Sequence, residues 1–344
     1  MARNKSTFPI NVMQYAETDR TLKASDGLPT VEHRFDASSL HAINAALAAE
    51  RPLLLRGEPG TGKSQLARAA ADLLHRRFRW KVVDAHTEVA DLFYSFDAVA
   101  RLAYAQIRGA LQAPCDQSER TRVLEELGER HFVRPGPLWW AFDEEKASEQ
   151  EATYRSRCGA ELSSAGDTGE GDDRRGWVVL IDEIDKADPS VPNGLLEALG
   201  QGTFDVLGGR TISLHGQKEP PLVVITTNEE RELPGAFVRR CMVLKIDLPD
   251  DEGELRTWLV RRGRTNFAAA SERLLQETAT MVLEDRRAAK NLGLTAPGQA
   301  EYLDLLRAVM KLGKNEKDRL RMLHDIRVFA LKKHPDQPSS PRGR

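Results

Sequence analysis

The stretch "PLLLRGEPGTGKSQLARAAADLL" (52–74) constrains this chain more than any other. "PLLL" reads as a short buried strand, a glycine-rich turn follows, and Leu66, Ala70, Leu73 and Leu74 then recur along one stripe of a helix. The turn "GEPGTGKS" (57–64) fits G-x-x-x-x-G-K-[ST]. Its glycines let backbone N–H groups converge on a phosphate, and Lys63 neutralises the β and γ oxygens. The Ser64 hydroxyl suits Mg²⁺, and the helix dipole adds to the attraction. The bland alternative is a glycine turn that caps a helix; a strand directly before and a helix directly after favour the phosphate cradle. Gly57, Glu58, Pro59, Gly60, Thr61, Gly62, Lys63, Ser64 and Gln65 are therefore the candidate nucleotide-binding residues.

Four more apolar runs accompany "PLLL": "WKVV" (80–83), "WVVLI" (177–181), "LVVIT" (222–226) and "CMVLKI" (241–246). Most lack apolar/polar alternation, which marks strands covered on both faces, and helical stripes separate them. A doubly wound α/β domain follows. From Pro249 onward only helical stripes remain, such as Leu255, Trp258 and Leu259, then Tyr302, Leu305, Leu306, Val309 and Met310. The expected organisation is an N-terminal extension (1–36), a nucleotide-binding α/β domain (37–248), a helical lid (249–333) and a disordered tail (334–344). Residues 143–176, polar and Gly/Ser-rich, read as a mobile insertion. Residues 204–214 turn about Gly208-Gly209 as a hairpin.

The second half of the site lies on later strands. "WVVLIDEIDKAD" (177–188) ends a strand in Asp182, which can hold the Mg²⁺ shell beside Ser64, and Glu183 next to it can orient and deprotonate water. "LVVITTNEE" places Asn228 at the tip of a neighbouring strand, where its amide can position water against a γ-phosphate. "DKAD" (185–188) lacks the asparagine of the guanine-reading N-K-x-D motif, so it is read as helix-capping acids and a loop lysine.

With 50 basic and 52 acidic residues, a formal charge of −2 and a pI near 6.5, the chain has no overall electropositive footprint for nucleic acid. Three well-separated cysteines and the lack of any long apolar run suggest a reducing cytoplasm, with no disulfide framework, zinc site or membrane span. His86 lies just after the second strand but has no catalytic context. Trp139 and Trp140 read as packing residues rather than base-stacking ones.

Taken together, "GEPGTGKS", "LIDEIDKADPSVPNGLLEAL" and "VVITTNEERELPGAFVRRC" resemble AAA+ ATPases, and within them the MoxR-like group. Further matches are "TEVADLFYSFDAVARL" (87–102) and "RPGPLWWAF" (134–142), and the likeness covers about residues 40–310. The resemblance implies a P-loop NTPase fold with a five-stranded parallel sheet and a helical lid. It implies ATP as substrate with Mg²⁺, and a homo-oligomeric ring, commonly a hexamer. It also implies a protein client, for which the group suggests a von Willebrand A-type domain protein; the charge balance and the lack of a long apolar run argue against a nucleic-acid or membrane partner. By resemblance Gly57, Gly60, Gly62, Lys63 and Ser64 form Walker A, Asp182 and Glu183 Walker B, and Asn228 sensor 1. Arg240, with Arg239 beside it, falls at the arginine finger, a cation lent to the neighbouring subunit's site. The lid segment "LTAPGQAEYLDLLRAV" (294–309) departs from the group: it has no basic residue before Arg307. Either Arg307 lies too deep in that helix to serve, or the protein works without that basic contact. Two other readings are a nucleic-acid-directed helicase or loader and a nucleotide-dependent switch with little turnover.

Overall fold

The computed structural model describes residues 8–24, 28, 30–111, 117–158, 174, 176–214 and 219–331. At the amino end, α1 (Val12–Tyr15) precedes an antiparallel ribbon of β1 (Asp19–Leu22) and β2 (Val31–Arg34). Then come α2 (Ala37–Ala48), β3 (Leu53–Arg56), α3 (Lys63–Leu73) and β4 (Arg77–Val82). A side layer comprises α4 (Val89–Phe93), β5 (Tyr94–Phe96), α5 (Ala98–Leu111), α6 (Gln117–Glu126), β6 (Val133–Pro135), α7 (Pro137–Phe142) and α8 (Glu144–Cys158). The main sheet resumes with β7 (Trp177–Asp182), α9 (Ser190–Gln201), the hairpin β8 (Thr203–Val206) and β9 (Arg210–Ser213), β10 (Leu222–Thr227), α10 (Gly235–Arg240) and β11 (Met242–Lys245). Four helices follow: α11 (Glu252–Asn266), α12 (Glu272–Asn291), α13 (Gln299–Leu312) and α14 (Glu316–Leu331).

The five main strands run in the order β11-β3-β10-β7-β4, every neighbouring pair parallel. Successive strand residues point to opposite faces. Leu53, Leu55, Val178, Leu180 and Val224 accordingly meet α2 and α3 through Leu40, Ile43, Leu66 and Ala70. Leu54, Val179, Ile181, Val223 and Ile225 meet Trp139, Phe142, Leu195 and Phe237 on the other side. Burial of both faces explains why the three central strands lack alternation. "WKVV" and "CMVLKI" differ from expectation: they belong to the edges. β4 is partly exposed along its length, and β11 alternates half-buried with exposed residues: Met242 and Leu244 pack on the α2 and α3 side, while Val243 and Lys245 are exposed.

The segment read as a mobile insertion requires a correction. Residues 144–158 form α8, a helix seated by Ala147, Gln150 and Tyr154, all buried. Gln150 Nε2 donates to the carbonyls of Arg130 (2.7 Å) and Val133 (2.8 Å), and Tyr154 donates to Asp97 Oδ2 at 2.8 Å. The stripe has helical spacing, but polar side chains carry much of its contact, so composition concealed it. Residues 159–173 and 175 lie outside the described chain, as do the tail from 332 onward and Cys115.

The four carboxy-terminal helices bury a separate core around Leu259, Leu275, Val282, Tyr302 and Leu306. The amino-terminal ribbon joins this helical unit to the sheet. Gln65 on α3 donates to Glu32 O at 3.0 Å, while Arg262 on α11 donates to Arg34 O at 3.1 Å. Trp139 is fully buried among aromatic rings and Trp140 lies under the Arg79 guanidinium at 4.0 Å, both as packing residues.

Candidate active site

The loop between β3 and α3 is wound around its own lysine. Lys63 is 6% exposed, and its Nζ donates to the carbonyls of Gly57 and Glu58 at 2.8 Å each. Burial pushes the Lys63 pKa down, opposed by the carboxylates of Asp182, Asp185 and Glu183. Thr61 Oγ1 donates to Glu58 O at 3.0 Å. Gly57 has φ +144°, and a Cβ there would stand 2.2 Å from Ile246 O, so the backbone just after β11 leaves no room for a side chain at the loop's first turn.

Asp182 ends β7 one strand away from β10 and opposite the start of α3. Ser64 Oγ donates to both Asp182 oxygens, at 2.9 and 2.8 Å. The two residues read as metal ligands therefore converge across 118 positions of sequence. Glu183 stands at φ +61°, a left-handed conformation held by its N–H, which donates to Thr226 Oγ1 at 2.8 Å. Asn228 Nδ2 donates to Glu183 Oε1 at 3.1 Å, and Lys186 Nζ donates to Glu183 Oε2 at 2.6 Å. Both carboxylate oxygens of Glu183 are thus positioned by named donors.

Three participants escaped the sequence reading. Thr226 bridges the two acidic residues, since its hydroxyl also donates to Asp182 Oδ1 at 2.5 Å. Lys186 is no plain loop lysine: its hydrogen bond to Glu183 holds its pKa above the usual lysine range. Arg286, on α12, is the third. Its side chain is 8% exposed and its Nη2 donates to Glu58 Oε2 at 2.7 Å, so the helical unit does send a guanidinium to the loop. Glu58 and Arg286 are 228 residues apart, a pairing with no local signal. Within "DKAD", Asp188 caps α9 by accepting from Ser190 N at 2.9 Å, as expected, whereas buried Asp185 accepts from the backbone of Glu230 at 3.0 Å and fixes the tip of β10.

Arg239 and Arg240 are not brought to this cluster. Both are exposed in the last turn of α10, and no hydrogen bond or ion pair engages either among the described residues. Met242 pairs with Leu53, so the chain leaves α10 at the amino edge of the sheet, about 13 Å along β3 from the phosphate loop at 3.3 Å per residue. Arg239 borders a hollow with Arg56, Thr227 and Glu229; Arg240 borders one with Glu197 and Gln201 of α9. His86 is exposed on the Asp84–Thr87 turn, outside the cluster.

A cavity of about 440 Å³ opens on the cluster, bordered by Pro59, Gly62, Lys63, Ser64, Asp182 and Asn228, and by the ribbon and α13 on its far walls. A hydroxyl and a carboxylate 2.8 Å apart are a donor set for a hard cation with remaining positions left to phosphate and water. The glycine loop, buried ammonium and helix amino terminus fit the phosphates themselves. The residues present thus fit a nucleoside polyphosphate with Mg²⁺. Among the described residues no cluster of three or more His, Cys, Asp or Glu side chains offers an all-protein metal site, and no helix is long and apolar enough to cross a membrane.

Strand, loop and helix on a five-stranded parallel sheet define a P-loop nucleotide-binding protein. The sequence matches the model of the AAA domain, dynein-related subfamily, over residues 52–241, more than half of the chain, and the protein belongs to that AAA family. Membership implies nucleotide binding, usually with Mg²⁺, and nucleotide hydrolysis in general; members commonly form oligomers. No curated protein matches the chain in sequence. Among solved structures, a RuvB variant from Thermotoga maritima is similar at 16% identity and a TM-score of 0.43, covering 85% of this chain and 69% of that one. A protein from Cytophaga hutchinsonii provisionally assigned as an ATPase is similar at 17% identity and 0.36, covering 84% and 78%. The Thermotoga maritima RuvB Holliday junction branch migration motor is similar at 14% and 0.39, covering 84% and 67%.

Proposed function

We propose that this protein is an ATP-hydrolysing AAA+ protein of the MoxR-like type that assembles as a homo-oligomeric ring and acts as a chaperone or remodelling ATPase on a protein client in the cytoplasm. The observation that carries the hydrolytic reading is the cluster in which Asn228 and Lys186 hold the two oxygens of Glu183 while Thr226 ties it to Asp182. Lys63 and the loop N–H groups bind and orient the phosphates. Ser64 and Asp182 would hold Mg²⁺, which would neutralise charge on the phosphates. Glu183 accepts a proton from the attacking water, and Asn228 fixes both the carboxylate and the water's approach.

Arg240, with Arg239 beside it, completes the site of the next copy. Within one chain neither guanidinium has a partner among the described residues and neither borders the cavity on the phosphate loop, which supports use in trans. A protein client rather than nucleic acid is supported by the hairpin, whose Arg210 is half-buried and donates to Gln150 Oε1 at 3.1 Å. It is further supported by α5, which exposes Val99, Leu102 and Ile107.

Steady-state phosphate release tests the proposal. Glu183→Gln keeps the shape and hydrogen-bonding reach but removes the base, and should slow turnover about 10²–10⁴-fold. Equal rates for the variant and the wild type would overturn the role given to Glu183.

A further inference from the structure

The first turn of α13 lies directly on the phosphate loop. A Cβ at Gly60 would stand 2.9 Å from Ala300 Cβ, and the amide atoms of Gln299 lie 3.9 Å from where a Cβ on Gly62 would be. Gln299 is 5% exposed, borders the cavity with Lys63 and Ser64, and its Oε1 is buried without a hydrogen-bond partner among the described residues. Buried polar side-chain atoms are seldom left unpaired, so this amide stands against a group that the described residues do not supply. The helix behind it runs for 14 residues, and its positive end faces the same space.

Arg286 fixes this turn. Besides Glu58 on the loop, its guanidinium donates to Pro297 O at 3.0 Å and Ala296 O at 3.5 Å, the residues that lead into α13. One buried cation thereby clamps both the loop and the segment carrying Gln299. Arg307, the first basic residue of α13, also borders the cavity, but eight positions further on, about 12 Å along the axis from Gln299, and its guanidinium is paired with Asp304.

We infer that Gln299 is a phosphate ligand of the nucleotide site, presented by the Arg286–Glu58 clamp, and that the lid of this protein reads the nucleotide through a neutral amide. The amide NH₂ donates to a phosphate oxygen beside Gly62, a half-turn of the terminal torsion exchanging the positions of the amide oxygen and nitrogen. An uncharged donor near the inner phosphates adds similar affinity to di- and triphosphate. Arg286 and Glu58 act as positioning residues.

This inference rests on the nucleotide reading above, and calorimetric titration of the full-length chain with MgADP, MgATP and adenosine separates the two. Gln299→Ala should weaken MgADP and MgATP together, by about 10- to 100-fold, the scale of a hydrogen bond to a charged group, and leave adenosine unaffected. The isosteric Gln299→Glu should weaken MgATP more than MgADP, since its carboxylate repels each added phosphate charge. Arg286→Ala should weaken both nucleotides at least as much as Gln299→Ala, and the double variant should lose less than the sum of the two single losses, because part of the Arg286 effect passes through Gln299. Melting temperature checks that each variant is folded. If wild type binds both nucleotides and Gln299→Ala and Gln299→Glu, both folded, bind them equally well, the inference is overturned while the site stands. If wild type binds neither nucleotide, or Lys63→Ala binds as tightly as wild type, the nucleotide reading falls and takes the inference with it.

Discussion

At the carboxyl edge of the sheet, Lys63, Ser64, Asp182, Glu183 and Asn228 each hydrogen-bond to another group in the chain, over separations of up to 118 residues. Around α10, Arg239 and Arg240 carry two full charges into solvent with no partner among the described residues. The first region is buried in part and cannot leave polar groups unpaired without a penalty of about 1–3 kcal/mol each. The second is solvated, where an unpaired guanidinium costs almost nothing, so folding of one copy neither requires nor fixes it. The contrast teaches that the chain builds most of the proposed hydrolytic site by itself and leaves one cationic element outside it. The proposed ring gives that element its place in the neighbour.

The sharpest way to break this contrast is to remove the outside element. Arg239→Ala/Arg240→Ala should lower the steady-state ATPase rate about 10³–10⁵-fold while leaving nucleotide affinity and melting temperature close to wild type. Mixing that variant with Lys63→Ala chains should restore part of the activity, because each supplies what the other lacks. If neither loss nor complementation is seen in turnover assays, the arginines are surface charges and the use in trans is wrong.

A smaller effect is expected inside the self-contained region. Asn228→Ala frees one oxygen of Glu183, and turnover should fall about 10- to 100-fold with little change in nucleotide affinity, the worth of one charge-assisted hydrogen bond. A loss of binding instead would show that Asn228 holds the nucleotide and not the carboxylate.

The smallest effect concerns a third region, the seam between ribbon and helical unit. His33 is buried, and burial, followed by Arg262, pushes its pKa from 6.5 down to about 3. Below pH 6.5 the unfolded chain takes up a proton that the native one refuses, so stability present above that pH is lost as pH falls towards about 3. Between pH 6.5 and 5 this amounts to about 2 kcal/mol, at about 1.4 kcal/mol per unit. Urea unfolding of His33→Gln across that range should show a correspondingly flatter pH dependence than wild type; parallel curves would mean that His33 does not set it.

What the sequence by itself determined is what depends on near neighbours. Strand, glycine turn, lysine and helix lie within 23 consecutive residues, and their chemistry follows from backbone freedom and local charge. The three central strands were legible for the same reason, since burial on both faces writes an unbroken apolar run. The edges β4 and β11 were not distinguished, because position in a sheet is a relation between segments. Likewise α8 was hidden by polar residues whose hydrogen-bond partners, Arg130 and Asp97, come from elsewhere in the chain. Only the tertiary structure decided that Thr226 joins Asp182 to Glu183, that Lys186 faces Glu183, and that Arg286 and Gln299 close over the phosphate loop. These pairings are set by how the sheet, ribbon and helices pack, and packing energy is a property of shapes brought together, which no local pattern of residues records.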